Sequence, residues 1–144
     1  MTSADRQKRW EHFSHDADIG VRGIGPTMKD AFEMAATALT AVITNPQSVR
    51  PQTAISIACS APDRDFLLYE WLNHIIYELD TRRMLFSKFE IESISETTLQ
   101  ATIYGETVDL SHHKPAVDVK GATMTELKVS EENGHWLAQC VVDV

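Results

Sequence analysis

Apolar residues follow two different periods along this chain, and the switches between them predict its elements. Met28, Phe32, Ala35, Leu39 and Val42 recur at helical spacing, which predicts a helix over 28–43 with one apolar face. Thr27 stands ahead of it as an N-cap, with Asp30 three positions on in an acidic form of the capping box. Alanines at 31, 35, 36, 38 and 41 raise helix propensity, and Asn45-Pro46 stops the run. A second helix is predicted from Pro62-Asp63 to about Asp80, with Leu68, Trp71, Leu72, Ile75 and Leu79 as its stripe. Between the helices, residues 52–60 alternate: Ile55, Ile57 and Cys59 face one way, Ser56 and Ser60 the other. That pattern predicts a half-buried strand.

Further alternating runs cover 85–94 and 98–104, joined as a hairpin by Ser95-Glu96-Thr97. Two more cover 126–130 and 136–142, around Asn133-Gly134, a turn pair that tolerates positive φ. Near the start, Trp10 to Phe13 and then Ile19, Val21 and Ile24 read as one first strand, bent or interrupted at an acidic turn. Residues 108–123 are less regular. The order strand, helix, strand, helix, then four strands predicts an α+β fold: one mostly antiparallel or mixed sheet with two helices packed against it.

At 144 residues the chain is sized for a single domain, 1–144, with 1–8 expected to be flexible. Thirteen basic against 21 acidic residues give a net charge of −8. Nucleic-acid binders draw much of their affinity from phosphate neutralisation, so no direct nucleic-acid binding is expected. An acidic surface suits a cation or a basic protein partner. Cys59 and Cys140 lie in apolar alternating runs without CxxC spacing. They read as small buried hydrophobes rather than a disulfide, in a reducing compartment, the cytoplasm. No apolar run reaches membrane-span length, and the first residues lack a signal-peptide h-region.

The densest chemistry is His15-Asp16-Ala17-Asp18, directly ahead of an alternating run. Carboxylates are costly to desolvate, so acids leading into a strand point to a held cation or a basic partner. Asp143-Val144 closes another strand-like run. If the two strand ends are neighbours, Asp18, Asp143 and the Val144 carboxylate meet as hard oxygen donors. On the residues alone, Asp18 capping a turn and a solvated Asp143 is the better-supported reading. His12 and His15 at H-x-x-H spacing invite zinc, but without a nearby cysteine or an H-E-x-x-H helix, a histidine bonded to a carboxylate is the expectation. Asp109 and His113 could form an acid–base pair. The alternative is an Asp109 that binds loop backbone above a packed His113, and no nucleophile accompanies them. Trp71, Phe89 and Trp136 are expected in the core.

These residues also carry a likeness. Trp10-Glu11-His12-Phe13-x-His15-x-Ala17-Asp18-Ile19-Gly20 resembles the opening signature of the archease family. Gly105-Glu106-x-x-Asp109-x-x-x-His113, then Val119-Lys120-x-x-Thr123 with Leu127-Lys128-Val129, and finally Val142-Asp143-Val144, resemble its later blocks in order. The resemblance implies a non-enzymatic activator of an RtcB-type RNA ligase in tRNA splicing and RNA repair, which promotes ligase guanylylation and repeated turnover. It implies a divalent cation, Ca²⁺ foremost with Mg²⁺ or Mn²⁺ as alternatives, on Asp18 and Asp143 with a contribution from Val144. It also implies a functional Lys120. His15, able to orient Asp18, and Asp16 join it as partner-facing candidates on the residues alone. The chain departs from the family pattern in three places: Asp16 replaces a threonine, Gly121 an alanine, and Met124-Thr125 a frequent Tyr-His. Two rival readings are a metal-dependent phosphoester hydrolase using His15, Asp16 and Asp18, and a general chaperone or binding module.

Overall fold

The computed structural model describes residues 8–144, so the expected flexibility of 1–8 falls outside the described residues except at Lys8. Lys8 is half-buried, and its ammonium lies 3.7 Å from Asp30. The elements are β1 (Arg9–His15), β2 (Asp18–Gly25), α1 (Met28–Ile43), β3 (Thr53–Ser60), α2 (Arg64–Arg82), β4 (Met84–Ile94), β5 (Thr98–Thr107), the single turn α3 (Leu110–His113), β6 (Gly121–Ala122), β7 (Lys128–Glu132) and β8 (His135–Asp143). A 3₁₀ turn occupies Pro46–Ser48.

The α+β class, the antiparallel pairing and the two packing helices are present as the pattern predicts. The strands divide between two sheets instead of sharing one. The first runs β1-β2-β8-β6, with β7 also paired to β8; the second runs β3-β5-β4. The expected single first strand is a hairpin, β1 against β2, closed at the pair His15↔Asp18. Asp16 makes the reversal at φ 52, a left-handed conformation that aspartate tolerates better than most residues. Asn133 and Gly134, at φ 54 and 78, close the β7–β8 hairpin as predicted.

Helix α1 ties the two sheets together. One face lies on β2, where Gly23 admits it: a Cβ there would fall 2.0 Å from the Ala31 carbonyl oxygen. Its other side reaches β4, an edge strand of the second sheet. Ile91 N–H donates to Glu33 Oε2 at 2.8 Å, and Thr40 Oγ1 donates to the Phe86 carbonyl at 2.7 Å. These side chains satisfy backbone groups that an additional strand would otherwise take. Thr27 caps α1 as predicted, accepting from Asp30 N–H at 3.1 Å. Asp63 caps α2, accepting from Phe66 N–H at 2.9 Å.

Val21, Phe32, Leu39, Trp71, Phe86 and Ile103 form the centre of the core and are essentially inaccessible. The Trp71 indole N–H donates to the Phe32 carbonyl at 3.0 Å, so the largest buried side chain leaves no unpaired donor. Phe89 is buried as expected. Trp136 is only half-buried, with the Arg64 guanidinium 5.3 Å from its ring centroid. Cys59 and Cys140 are free thiols. Burial pushes Cys140 up to about 12 and Cys59 up to about 11, so neither is a reactive thiolate. Among the described residues, no helix is long and apolar enough to cross a membrane.

Candidate functional site at the strand ends

Strand register builds the site. β2 and β8 run antiparallel with Ile19 opposite Val142, which sets Asp18 opposite Asp143 one step further out. His15 of β1 is paired with Asp18, and Gly121 of β6 with Asp143. Opposed residues project from the same face of a sheet. His15, Asp18, Asp143 and Gly121 therefore form one row across four strands.

Two backbone contacts fix the row. Val144 N–H donates to Asp18 Oδ1 at 3.4 Å, and Lys120 N–H donates to the Asp143 carbonyl at 2.8 Å. Residues separated by more than a hundred positions thus meet, with Lys120 beside them. Asp18 and Val144 are half-buried, while Asp143 and Lys120 are exposed. Asp16 projects from the hairpin tip with 93% of its side chain accessible, its Oδ2 3.9 Å from His15 Nδ1. Asn73 of α2 anchors the far side: its Oδ1 accepts from Ala122 N–H at 2.9 Å.

The histidine pair does not converge. Three positions apart on one strand, His12 and His15 project from opposite faces. His12 Nε2 lies 2.8 Å from the Ala38 carbonyl, and its ring stacks at a tilt on Trp10. The expected carboxylate partner for His12 is therefore a helix carbonyl.

Asp109 and His113 follow the quieter of the two expectations. Asp109 Oδ1 accepts from Ser111 Oγ at 2.8 Å and from the N–H groups of Ser111 and His112 at 3.1 and 3.3 Å, capping α3. The Ser111 hydroxyl, then the His112 N–H, holds its carboxyl below the usual range. His113 is buried, and its Nδ1 accepts from Asp109 N–H at 2.9 Å. That bond fixes the tautomer, so the proton sits on Nε2 and is donated to Glu106 Oε2 at 3.0 Å. Glu106 Oε2 also accepts from Arg50 N–H at 2.8 Å. The Arg50 N–H first, and His113 second, holds Glu106 below its ordinary value.

Glu106, His112 and His113 bring three potential ligand atoms within 4.8 Å of one another, a grouping the sequence reading did not single out as a metal set. Both His113 nitrogens are engaged, and His112 Nε2 lies 2.9 Å from the Ser48 carbonyl. An ion would have to displace these bonds. The cluster acts as a clasp between the 106–113 loop and residues 48–50.

Residues 10–144 match the model of the Archease protein family (MTH1598/TM1083). The chain belongs to the archease family. A protein archease of Pyrococcus abyssi is 37% identical over 142 residues, an alignment covering 95% of this chain and 99% of that protein. The solution structure of Methanobacterium thermoautotrophicum protein 1598 is similar throughout: its TM-score is 0.76 at 27% identity, over 94% of this chain and 98% of that one. A Thermotoga maritima crystal structure, described as an archease, possible chaperone, shares the fold at a TM-score of 0.59 and 11% identity, over 93% and 96% of the two chains.

Within the archease frame, the three departures noted in the sequence have definite places. Asp16 occupies the positive-φ position at the hairpin tip. Gly121 stands in the acidic row, where an added Cβ would meet Asn73 Oδ1 at 3.5 Å, an ordinary contact. Met124 and Thr125 lie on the exposed turn between β6 and β7. There Thr125 still contributes its carbonyl, which accepts from Val141 N–H at 3.0 Å.

Proposed function

We propose that this archease-family chain activates an RtcB-type RNA ligase in the cytoplasm, promoting guanylylation and repeated turnover in tRNA splicing and RNA repair. One observation carries the reading: the Val144 N–H contact to Asp18, in a register that puts Asp143 in the same row. An acidic patch assembled from distant parts of the chain, with Lys120 at its side, suits the metal- and nucleotide-bearing centre of a partner enzyme. The row presents charges and ligands rather than a nucleophile with its base, which favours an accessory role over catalysis by this chain.

The donor set fits a hard divalent cation. Asp18 and Asp143 offer carboxylates and Val144 a backbone oxygen, the ligand chemistry of Ca²⁺, with Mg²⁺ or Mn²⁺ also accommodated. The Val144 N–H engages one Asp18 oxygen and leaves the other available. When bound, such an ion supplies positive charge for phosphate oxygens. Lys120 adds a mobile ammonium for the same anionic groups. His15 and Asp16, at the hairpin end, face the partner.

The direct test is ligase guanylylation by GTP and metal, with and without this protein. Faster guanylylation and more than one turnover per ligase are expected, and an unchanged rate would contradict the reading. The Thermotoga maritima relative's description favours one other reading, a chaperone. Metal-independent suppression of aggregation in unrelated proteins would support that alternative. Phosphodiester turnover by the isolated protein with Mn²⁺ would instead indicate a hydrolase.

A further inference from the structure

Between α3 and β6 the chain runs without helix or sheet from Pro115 to Val119. Ala116 N–H donates to the Ile43 carbonyl at 2.8 Å. Among the described residues, the N–H groups of Val117, Asp118 and Val119 find no partner in the protein, nor do the carbonyls from Pro115 to Val119. Val119 is buried while Val117 and Asp118 are exposed, so the segment is anchored at one end with its polar backbone open. Such a run leaves main-chain donors and acceptors open to another chain.

The same segment walls a cavity of about 460 Å³, whose apolar floor includes Ile43, Leu79, Met84, Leu85 and Val108. Its charged lining is Asp80, Asp118 and Arg83. Partial desolvation, then the neighbouring Asp118 charge, pushes the Asp80 carboxyl above its ordinary value. Two carboxylates against one guanidinium leave the rim net negative. A second copy of this chain, at net charge −8, would bring more acid to that rim. A basic partner segment would complement it. Val119 leads directly into Lys120, so the groove adjoins the strand-end site.

We propose that Pro115–Val119 and its groove dock an extended segment of the partner ligase, paired to the open backbone, with an apolar side chain on the floor and a Lys or Arg facing Asp80 and Asp118. This rests on the ligase reading above and adds where the partner is gripped. Strand addition of this kind takes affinity from main-chain bonds and specificity from side-chain pockets.

Hydrogen exchange on the whole protein, free and with purified RtcB-type ligase, tests the proposal. The Val117, Asp118 and Val119 amides are expected to slow by about tenfold or more on binding, as newly paired amides do. The double reversal Asp80→Lys with Asp118→Lys is expected to weaken association by about tenfold or more, with less salt dependence. A ligase that binds wild type while these amides stay unprotected overturns the docking site and leaves the activator reading intact. A ligase that does not bind wild type overturns both. If the double reversal fails to fold, the wild-type exchange result decides alone.

Discussion

Asn73 and Ala122 are joined through both polar groups of the Ala122 backbone: its N–H donates to Asn73 Oδ1 at 2.9 Å, and its carbonyl accepts from Asn73 Nδ2 at 3.5 Å. A carboxamide thus stands where another strand would pair with β6. β6 has only two residues and follows Lys120 directly, so this contact sets where Lys120 lies. Asn73→Ala is expected to leave both groups without a protein partner and to lower stability by about 1–3 kcal/mol in urea denaturation. Exchange at the Lys120 and Ala122 amides should accelerate with it. Unchanged stability and exchange would show that β8 alone holds β6.

Gly23 predicts a steric outcome. A Cβ there would lie 2.0 Å from the Ala31 carbonyl oxygen and 2.3 Å from the Ala35 nitrogen, both backbone atoms of α1. Neither can rotate aside, so Gly23→Ala must push the helix off β2. A loss of about 1–3 kcal/mol or more is expected. Gly121→Ala is the contrast, since its nearest neighbour, Asn73 Oδ1, is at 3.5 Å. It should stay within about 0.5 kcal/mol of wild type. Equal denaturation midpoints for the two variants would contradict this packing.

Glu33 makes stability depend on pH in an unusual direction. Burial, the leading cause, lifts its carboxyl above the ordinary 4.5, against the opposing Ile91 N–H bond. Between the ordinary and raised values the native state holds more proton than the unfolded one. Stability from this group therefore falls as pH rises through that interval. Glu33→Gln keeps an acceptor for Ile91 N–H and abolishes the titration. It should equal or exceed wild type at neutral pH and lose that advantage in acid. Glu33→Leu leaves Ile91 N–H unpaired and should cost about 1–3 kcal/mol. A wild-type-to-Gln difference that is constant with pH would refute the assignment.

Glu106 and Asp109 act with the opposite sign. Both are depressed by hydrogen bonds, so their contribution is complete above the ordinary carboxylate range and disappears as pH falls through their lowered values. Glu106→Gln is expected to reduce the acid-side loss of stability. Chemical denaturation of wild type and variant across the acid range would check this. An acid limb identical to wild type would mean that the clasp does not titrate as described.

The helices were readable because local chemistry and packing agree. Thr27 caps where the sequence places it, the second helix starts close to the predicted Pro62-Asp63, and the stripe from Met28 to Val42 faces the core. The Asn133-Gly134 hairpin was readable for the same reason: the turn demands positive φ and those residues supply it. The first hairpin was harder to see because only Asp16 of its two reversal residues favours a turn, while Ala17 carries no such preference. The division into two sheets was hidden too. It depends on Glu33 and Thr40 closing the β4 edge, and no periodicity shows which side chain will cap an edge. At the candidate site, the acids were legible as acids, and the guess that distant strand ends adjoin matches the register of β2 and β8. The Asn73 anchor was not legible, because a lone asparagine on a helix looks like any solvated residue. The Glu106–His113 clasp was hidden for a similar reason: its tautomer is set by the Asp109 backbone N–H, which leaves no mark in sequence.

The most direct measurement is single-turnover guanylylation of an RtcB-type ligase with wild type, Asp18→Ala and Asp143→Ala, after each variant is shown to fold. Removing either carboxylate from the row should abolish most of the stimulation while the ligase's unaided rate stays the same. Full stimulation by both variants would contradict the account.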